Sequence, residues 1–304
     1  MEPPPPAAPL DEALAVFVGL RPRLFGSAYR MLGSAAEAED VVQEAWLRWQ
    51  ATDRDTVIDA TGFLVTATTR LAINQAQSAR VRRESYVGTW LPEPIDTRAD
   101  PELGAVRGEA LALAVLLLLE KLTPKERAAY VLREAFDYDY AQIADILELE
   151  EANVRQLVSR ANKHIAADRR SPVDASAQRN LLAAFLEAAQ RGDRARLESL
   201  FAADVVSYSD GGGIARAARV PVQGRARVAQ FIASFASHFW VDASFTWTEA
   251  NGRPAVVVSR GSEPFAFATI EASADGIAAI WWVLNPAKLA SIAAAAGGSP
   301  EQAR

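Results

Sequence analysis

The run Thr123-Pro124-Lys125-Glu126 constrains this chain more tightly than any other. An N-cap hydroxyl, a first-turn proline and a reciprocating glutamate coincide there, and together they fix the start of a helix. Downstream, Asp139 and Gln142 repeat the capping pattern ahead of Ile143, Ala144, Ile146 and Leu147. A third helix then carries Val154, Leu157, Val158, Ala161 and Ile165 at three-to-four spacing. Two short helices and a tight turn at Leu149-Glu150-Glu151 before a basic helix give the order that a helix-turn-helix requires.

On that basic helix Arg155, Gln156, Ser159, Arg160 and Lys163 fall opposite the apolar stripe, so donors and positive charge point outward together. In a major groove Arg reads guanine and Gln reads adenine, while Lys, Ser and further Arg side chains fix the register on phosphates. A solvated basic face accounts for the same residues if the helix stands alone. The turn lacks glycine and places Glu150 and Glu151 near the phosphates, so modest affinity is expected.

A second helical block precedes this one. Leu14, Phe17, Leu24, Ala28, Met31 and Leu32 form one apolar stripe that Gly33 can end. Ser34 and Glu37 then cap a helix whose buried side is Val41, Ala45 and Trp49, leaving Asp40, Gln43, Glu44 and Arg48 outside. After a polar loop a third helix turns Phe63, Leu64, Ala67 and Leu71 inward and becomes basic through Arg70, Arg80, Arg82 and Arg83. With Asn74, Gln75 and Gln77 interspersed, that stretch could grip one DNA strand, or it could be an ordinary exposed face.

Composition narrows the classes. The chain has no cysteine and two histidines, which excludes disulfide frameworks, thiol catalysis and the usual zinc spacings. Neither a metal nor a cofactor is expected, and a cytoplasmic location fits. The longest apolar run, Leu111 to Leu119, falls short of the roughly 18 to 20 residues that cross a bilayer, so no membrane role is expected. The proline-rich start has neither the basic end nor the apolar core of an export signal and reads as a disordered tail. A net charge of −6 confines any nucleic-acid role to local basic patches.

From about Ala175 the texture changes. Two small helices around Leu181 to Phe201 lead to Gly211, Gly212 and Gly213, which suit a tight bend. Strands are expected where Phe239, Val241, Ala243, Phe245 and Trp247 alternate with polar residues, and again at Ala255 to Ser259, Phe265 to Glu271 and Ile277 to Leu284. Between the two helical blocks, the proline-bearing segment from Tyr86 to Pro101 reads as a non-helical linker.

Five separated motifs carry a resemblance. Ser34-Ala-Ala-Glu-Ala-Glu-Asp-Val-Val-Gln-Glu-Ala-Trp-Leu-Arg48 resembles the polymerase-contacting helix of extracytoplasmic-function (ECF) sigma factors, and Leu122-Thr-Pro-Lys-Glu-Arg127 through Ile165 resembles their promoter-reading helix-turn-helix. Tyr86-Val-Gly-Thr-Trp-Leu-Pro-Glu-Pro94 is similar to the linker motif of the ECF group with a C-terminal SnoaL-like extension. Asp210-Gly-Gly-Gly213 and Asn285-Pro-Ala-Lys-Leu289 resemble that group's extension motifs, except that Ala287 stands where an acid is usual.

The resemblance implies two all-α sigma domains plus an α+β, cone-shaped SnoaL-like domain. The expected division is 1–11 tail, 12–85 sigma region 2, 86–107 linker, 108–172 sigma region 4 and 175–296 SnoaL-like domain. It implies that Asp40, Gln43, Glu44 and Arg48 dock on the clamp helices of core RNA polymerase. Residues from about Asp53 to Arg70 would trap a flipped base of the minus-ten element, with Arg70, Asn74, Arg80, Arg82 and Arg83 holding that strand. Arg155, Gln156, Ser159, Arg160 and Lys163 would read the minus-thirty-five element. The linker residues Trp90, Leu91, Pro92, Glu93 and Pro94 would meet Asp210, Gly211, Gly212, Gly213, Asn285, Pro286, Lys288 and Leu289, with Trp90 as the main burial anchor, worth about 2 to 3 kcal/mol if fully covered.

Two rivals share these residues. A SnoaL-like enzyme would need a titrating group in its cavity, and His238 with Asp204, Asp210, Asp242 or Glu249 are the candidates. A ligand-responsive helix-turn-helix repressor keeps the recognition helix but leaves the first block and the linker without a role. No catalytic residue is expected, and the C-terminal cavity is a candidate site for a small ligand.

Overall fold

A computed structural model describes residues 8–97, 112–168 and 173–296. The described residues form two compact units, with the linker from Arg83 onward and Ala112–Ala114 joining the C-terminal part of the chain.

In the helical unit, α1 (Ala8–Leu32) begins inside the stretch expected as a tail. The rest of that stretch, 1–7, lies outside the described residues. Leu24, Ala28, Met31 and Leu32 are buried as expected, whereas Leu14 is exposed and Ala13 takes the inward position. The cause is Trp49 of α2 (Ala35–Ala51), whose indole donates to the Ala13 carbonyl at 3.2 Å and draws that side of the turn inward. Ser34 caps α2 by accepting from the Glu37 N–H.

Helix α3 (Ala60–Glu84) buries Leu64, Val65, Thr68, Thr69, Ala72 and Ile73, so its inward face is rotated from the Phe63, Leu64, Ala67, Leu71 stripe. Threonine methyls fill core positions that a reading by apolar residues alone assigns elsewhere.

The second helical block comprises α4 (Leu113–Leu119), α5 (Pro124–Tyr130) with a π-helical turn at Val131–Ala135, α6 (Tyr140–Leu147) and α7 (Glu151–Asp168). Both anticipated capping boxes form, at Thr123/Glu126 and Asp139/Gln142. Glu148 supplies the reversal that glycine commonly supplies, at φ 53° and ψ 54°. Arg127 is buried, pairs with Glu120 at 2.6 Å and donates to the Met31 carbonyl at 2.5 Å. It thereby joins the two helical blocks.

The C-terminal unit opens with α8 (Ala175–Arg191) and α9 (Arg194–Leu200), followed by β1 (Phe201–Asp210), β2 (Val222–Gln223) and α10 (Arg225–Ala233). Then come β3 (Ala243–Ala250), β4 (Arg253–Arg260), β5 (Glu263–Ser273), β6 (Gly276–Val283) and α11 (Pro286–Ala296). The sheet order is β2-β1-β6-β5-β4-β3, antiparallel except for the parallel β1/β6 pair. Phe185, Phe201, Val256, Val258, Ile270 and Ile280 fill the space between helices and sheet.

Several elements depart from the sequence reading. Strand β1 and helix α10 occupy segments for which no element is expected, and β3 begins at Ala243 rather than Phe239. Phe239 to Asp242 form a turn in which Ala243 N–H donates to the Trp240 carbonyl and Asp242 has φ 55°. Arg260 holds the turn by donating to the carbonyls of Phe239 and Val241, at 2.9 and 3.2 Å. Phe239 thereby lines a cavity with Trp240, while Phe245 and Trp247 stay in the ladder, opposite Val258 and Val256 of β4.

Candidate functional site

Helix α7 separates its faces cleanly. Val154, Leu157, Val158, Ala161 and Ile165 are buried, and Arg155, Gln156, Ser159, Arg160 and Lys163 are all exposed. Arg155 pairs with Glu151 one turn back and lies over the Tyr140 ring at 4.2 Å. Arg160 approaches Glu126 at 3.9 Å. The Glu126 carboxyl loses solvation by partial burial, but the Thr123 hydrogen bonds and the charges of Arg160 and His164 hold it below its ordinary value.

On α2, Asp40, Gln43 and Arg48 are exposed and Glu44 is half-buried, with Arg48 bonded to Glu44 at 3.1 Å. On α3, Arg70, Asn74, Arg80 and Arg82 are exposed, but two of them are engaged. Arg82 pairs with Glu37. Arg70 donates to the Ile146 carbonyl at 3.1 Å and pairs with Glu148 at 2.9 Å, so it is tied to the helix-turn-helix reversal.

Within the C-terminal unit the linker is built into the fold. Asp210, fully buried at the end of β1, is the hub. One of its carboxylate oxygens accepts from the Tyr86 hydroxyl at 2.6 Å and from Gly212 N–H at 3.0 Å. The other accepts from Leu91 N–H at 2.9 Å and from the Lys288 ammonium at 2.7 Å. Lys288 also donates to the Leu91 carbonyl and lies over the Trp90 ring at 4.3 Å, while the Arg83 guanidinium sits over the same ring at 3.5 Å. Burial pulls the Lys288 ammonium below its ordinary value, against the opposing pull of Asp210. Burial and the Asp210 hydrogen bond push the Tyr86 phenol well above its own.

The glycines of 211–213 give close approach. Gly212 has φ 63°, and a Cβ on it would meet the Asn285 amide nitrogen at 2.5 Å. A Cβ on Gly211 would meet the Ala215 carbonyl oxygen at 2.2 Å. Asn285 donates to the Tyr86 hydroxyl at 3.0 Å, and its own N–H donates to the Asp210 carbonyl at 3.0 Å. Leu289 is buried, whereas Pro286 and Ala287 are exposed.

In the linker, Leu91, Pro92, Glu93 and Pro94 are buried while Trp90 is only half-buried. The anchor by burial is therefore Leu91, and Trp90 acts as a platform for two cations. Further contacts went unread in the sequence. Ser291 donates to Glu93 at 3.0 Å, Thr97 donates to Glu249 at 3.0 Å, and Ile95 and Asn251 exchange hydrogen bonds at 3.2 and 3.0 Å. Asp96 bridges Ala250, so the linker runs along the β3 edge. The expected linker residues 98–107 lie outside the described residues.

Inside the curve of the sheet is a cavity of about 530 Å³ lined by Ser209, Arg216, Phe235, His238, Trp240 and Trp282 among others. Neither Asp204, Asp210, Asp242 nor Glu249 lines it, so the acid–base pair that the enzyme reading requires is not assembled with His238 there.

Residues 16–82 match the Sigma-70 region 2 family and residues 112–165 the Sigma-70, region 4 family. Two such regions, each with its polar faces exposed, define an alternative sigma factor. ECF RNA polymerase sigma factor SigJ of Mycobacterium tuberculosis (H37Rv) is 38% identical over 221 residues, covering 71% of this chain and 70% of that protein. Probable ECF RNA polymerase sigma factor SigI of Mycobacterium tuberculosis (CDC 1551) is 33% identical over 187 residues, covering 60% of this chain and 64% of that one. The crystal structure of Mycobacterium tuberculosis SigJ aligns with a TM-score of 0.73 at 30% identity, over 95% of this chain and 100% of that one. This chain belongs to the ECF RNA polymerase sigma factor family.

Proposed function

We propose that the chain binds core RNA polymerase through Asp40, Gln43, Glu44 and Arg48 and directs initiation at promoters that its two helical blocks recognise in the cytoplasm. The observation that carries this reading is α7, where five polar or cationic side chains stand exposed over a buried stripe. Arg155 meets Glu151 at the surface, where such a pair is worth about 0 to 1 kcal/mol. Arg160 is itself exposed and reaches Glu126 only at 3.9 Å, so phosphates of the minus-thirty-five element displace both contacts readily. Arg70, Asn74, Arg80, Arg82 and Arg83 hold the separated minus-ten strand, which requires Arg70 to leave Glu148 and Ile146.

The C-terminal domain acts as a regulator without catalysis. Its Asp210–Lys288 centre grips the linker between the sigma regions, so docking and release of residues 86–95 set how the regions engage polymerase. The cavity is the place where a small ligand reports to that grip. Transcription in vitro with core polymerase tests the reading. Initiation from a specific promoter is expected. DNA binding without initiation would indicate a repressor, and turnover of a small molecule would indicate an enzyme.

A further inference from the structure

The cavity in the C-terminal unit has a definite chemistry. Phe231, Phe235, Phe239, Trp240 and Trp282 bring five rings to its wall, several already in edge-to-face contact: Phe231–Phe235 at 4.9 Å and 79°, Phe239–Trp240 at 4.7 Å and 80°, and Phe239–Trp282 at 5.8 Å and 79°. A flat aromatic guest extends such a set, because ring edges and faces are electrostatically complementary. At about 530 Å³ the space lies within the roughly 300–1,000 Å³ of small-molecule sites.

The polar groups select the guest's charge. No aspartate or glutamate lines the cavity, whereas Arg216 does, and among the described residues Arg216 has no ion-pair partner. The indole nitrogens of Trp240 and Trp282 are fully buried, so these two rings line the cavity with carbon and not with their N–H groups. A spare guanidinium, together with Ser209, Ser234 and His238 on a wall without carboxylates, favours oxygen acceptors carrying negative charge.

The cavity is also wired to the linker grip. Ser209 and Leu284 line it, and the next residues along the chain are Asp210 and Asn285, which hold Tyr86 and Leu91. Leu284 N–H donates to the Asp210 carbonyl at 2.7 Å, tying the two wall strands together beside the hub. A guest packed on Ser209 and Leu284 therefore stiffens the strand ends on which linker docking depends.

We infer that the cavity binds a planar aromatic carboxylate and that its occupancy holds the linker docked. The inference deepens the reading of this cavity as a regulatory ligand site. The test titrates the full chain with 2-naphthoate and with 2-naphthylmethylammonium by calorimetry, and follows hydrogen exchange of the Leu91 amide. Saturable binding of naphthoate at up to about millimolar concentration is expected. So is about fivefold weaker binding by Arg216→Gln, an exposed position whose replacement leaves the core intact. Leu91 exchange should slow about threefold or more at saturation. No saturable binding, equal binding of the ammonium analogue, an unchanged affinity of Arg216→Gln, or Leu91 exchange indifferent to naphthoate would each overturn the inference. The titration contains neither polymerase nor DNA, so its failure is separate from failure of the initiation assay.

Discussion

The carboxylate of Asp210 accepts the backbone N–H of Leu91 at 2.9 Å while its charge is matched by Lys288 at 2.7 Å, and all three groups are removed from water. A buried ammonium keeps its charge only while its partner does. Removing one member of such a pair costs about 3 to 5 kcal/mol, because the other is left uncompensated. Asp210→Asn keeps the shape and removes the charge. Urea unfolding should show a loss of that order, and Leu91 should lose its amide protection.

Gly212 and Gly261 both have positive φ, 63° and 59°, but only Gly212 faces a neighbour. Alanine at Gly261 meets nothing within 4 Å and should cost about 1 to 2 kcal/mol, the backbone strain alone. Alanine at Gly212 adds a collision with Asn285 and should cost more, while also loosening Tyr86. Equal melting temperatures for the two variants would contradict the close approach of Gly212 to Asn285.

Tyr86 gives the docked linker a pH dependence of known sign. Its phenol is held above the ordinary value by burial first and by Asp210 second, so it stays protonated when docked and ionises near pH 10 when released. Its contribution is fully present below about pH 10 and is lost as pH rises toward the higher docked value. Lys288 has the opposite sign. With a docked value lowered by burial, its unfavourable contribution is present at neutral pH and fades as pH rises. Tyr86→Phe isolates the phenol: an alkaline ultraviolet titration should lose a late-ionising tyrosine, and Leu91 exchange should lose its extra acceleration above pH 10.

On α7, Arg160→Ala should weaken promoter binding and reduce the slope of log affinity against log salt by about 1, as for one lost phosphate contact. Gln156→Ala should leave that slope unchanged and relax preference at one base position. Binding titrations across a salt series distinguish the two.

The helical half was legible because local rules suffice there. The capping boxes at Thr123/Glu126 and Asp139/Gln142 and the stripe from Val154 to Ile165 each depend on residues within a few turns. Where tertiary partners decide, the letters mislead. Thr68 and Thr69 entered the core, Leu14 left it, and the alternation from Phe239 to Trp247 was split by a turn that Arg260 holds. The linker and its glycine-rich partner were visible as motifs, yet Trp90 rather than Leu91 looked like the anchor. Side-chain size is written in the sequence, whereas the Arg83 and Lys288 cations that use Trp90 as a platform come from distant segments.

The most direct measurement is promoter-specific run-off transcription with core polymerase, comparing the native chain with Asp210→Asn and with the milder Tyr86→Phe, each checked for release of Leu91 by hydrogen exchange. If the C-terminal domain restrains the sigma regions by gripping the linker, release raises initiation by about tenfold for Asp210→Asn, and by less for Tyr86→Phe. Initiation that stays at the native level while Leu91 is demonstrably released would contradict the account.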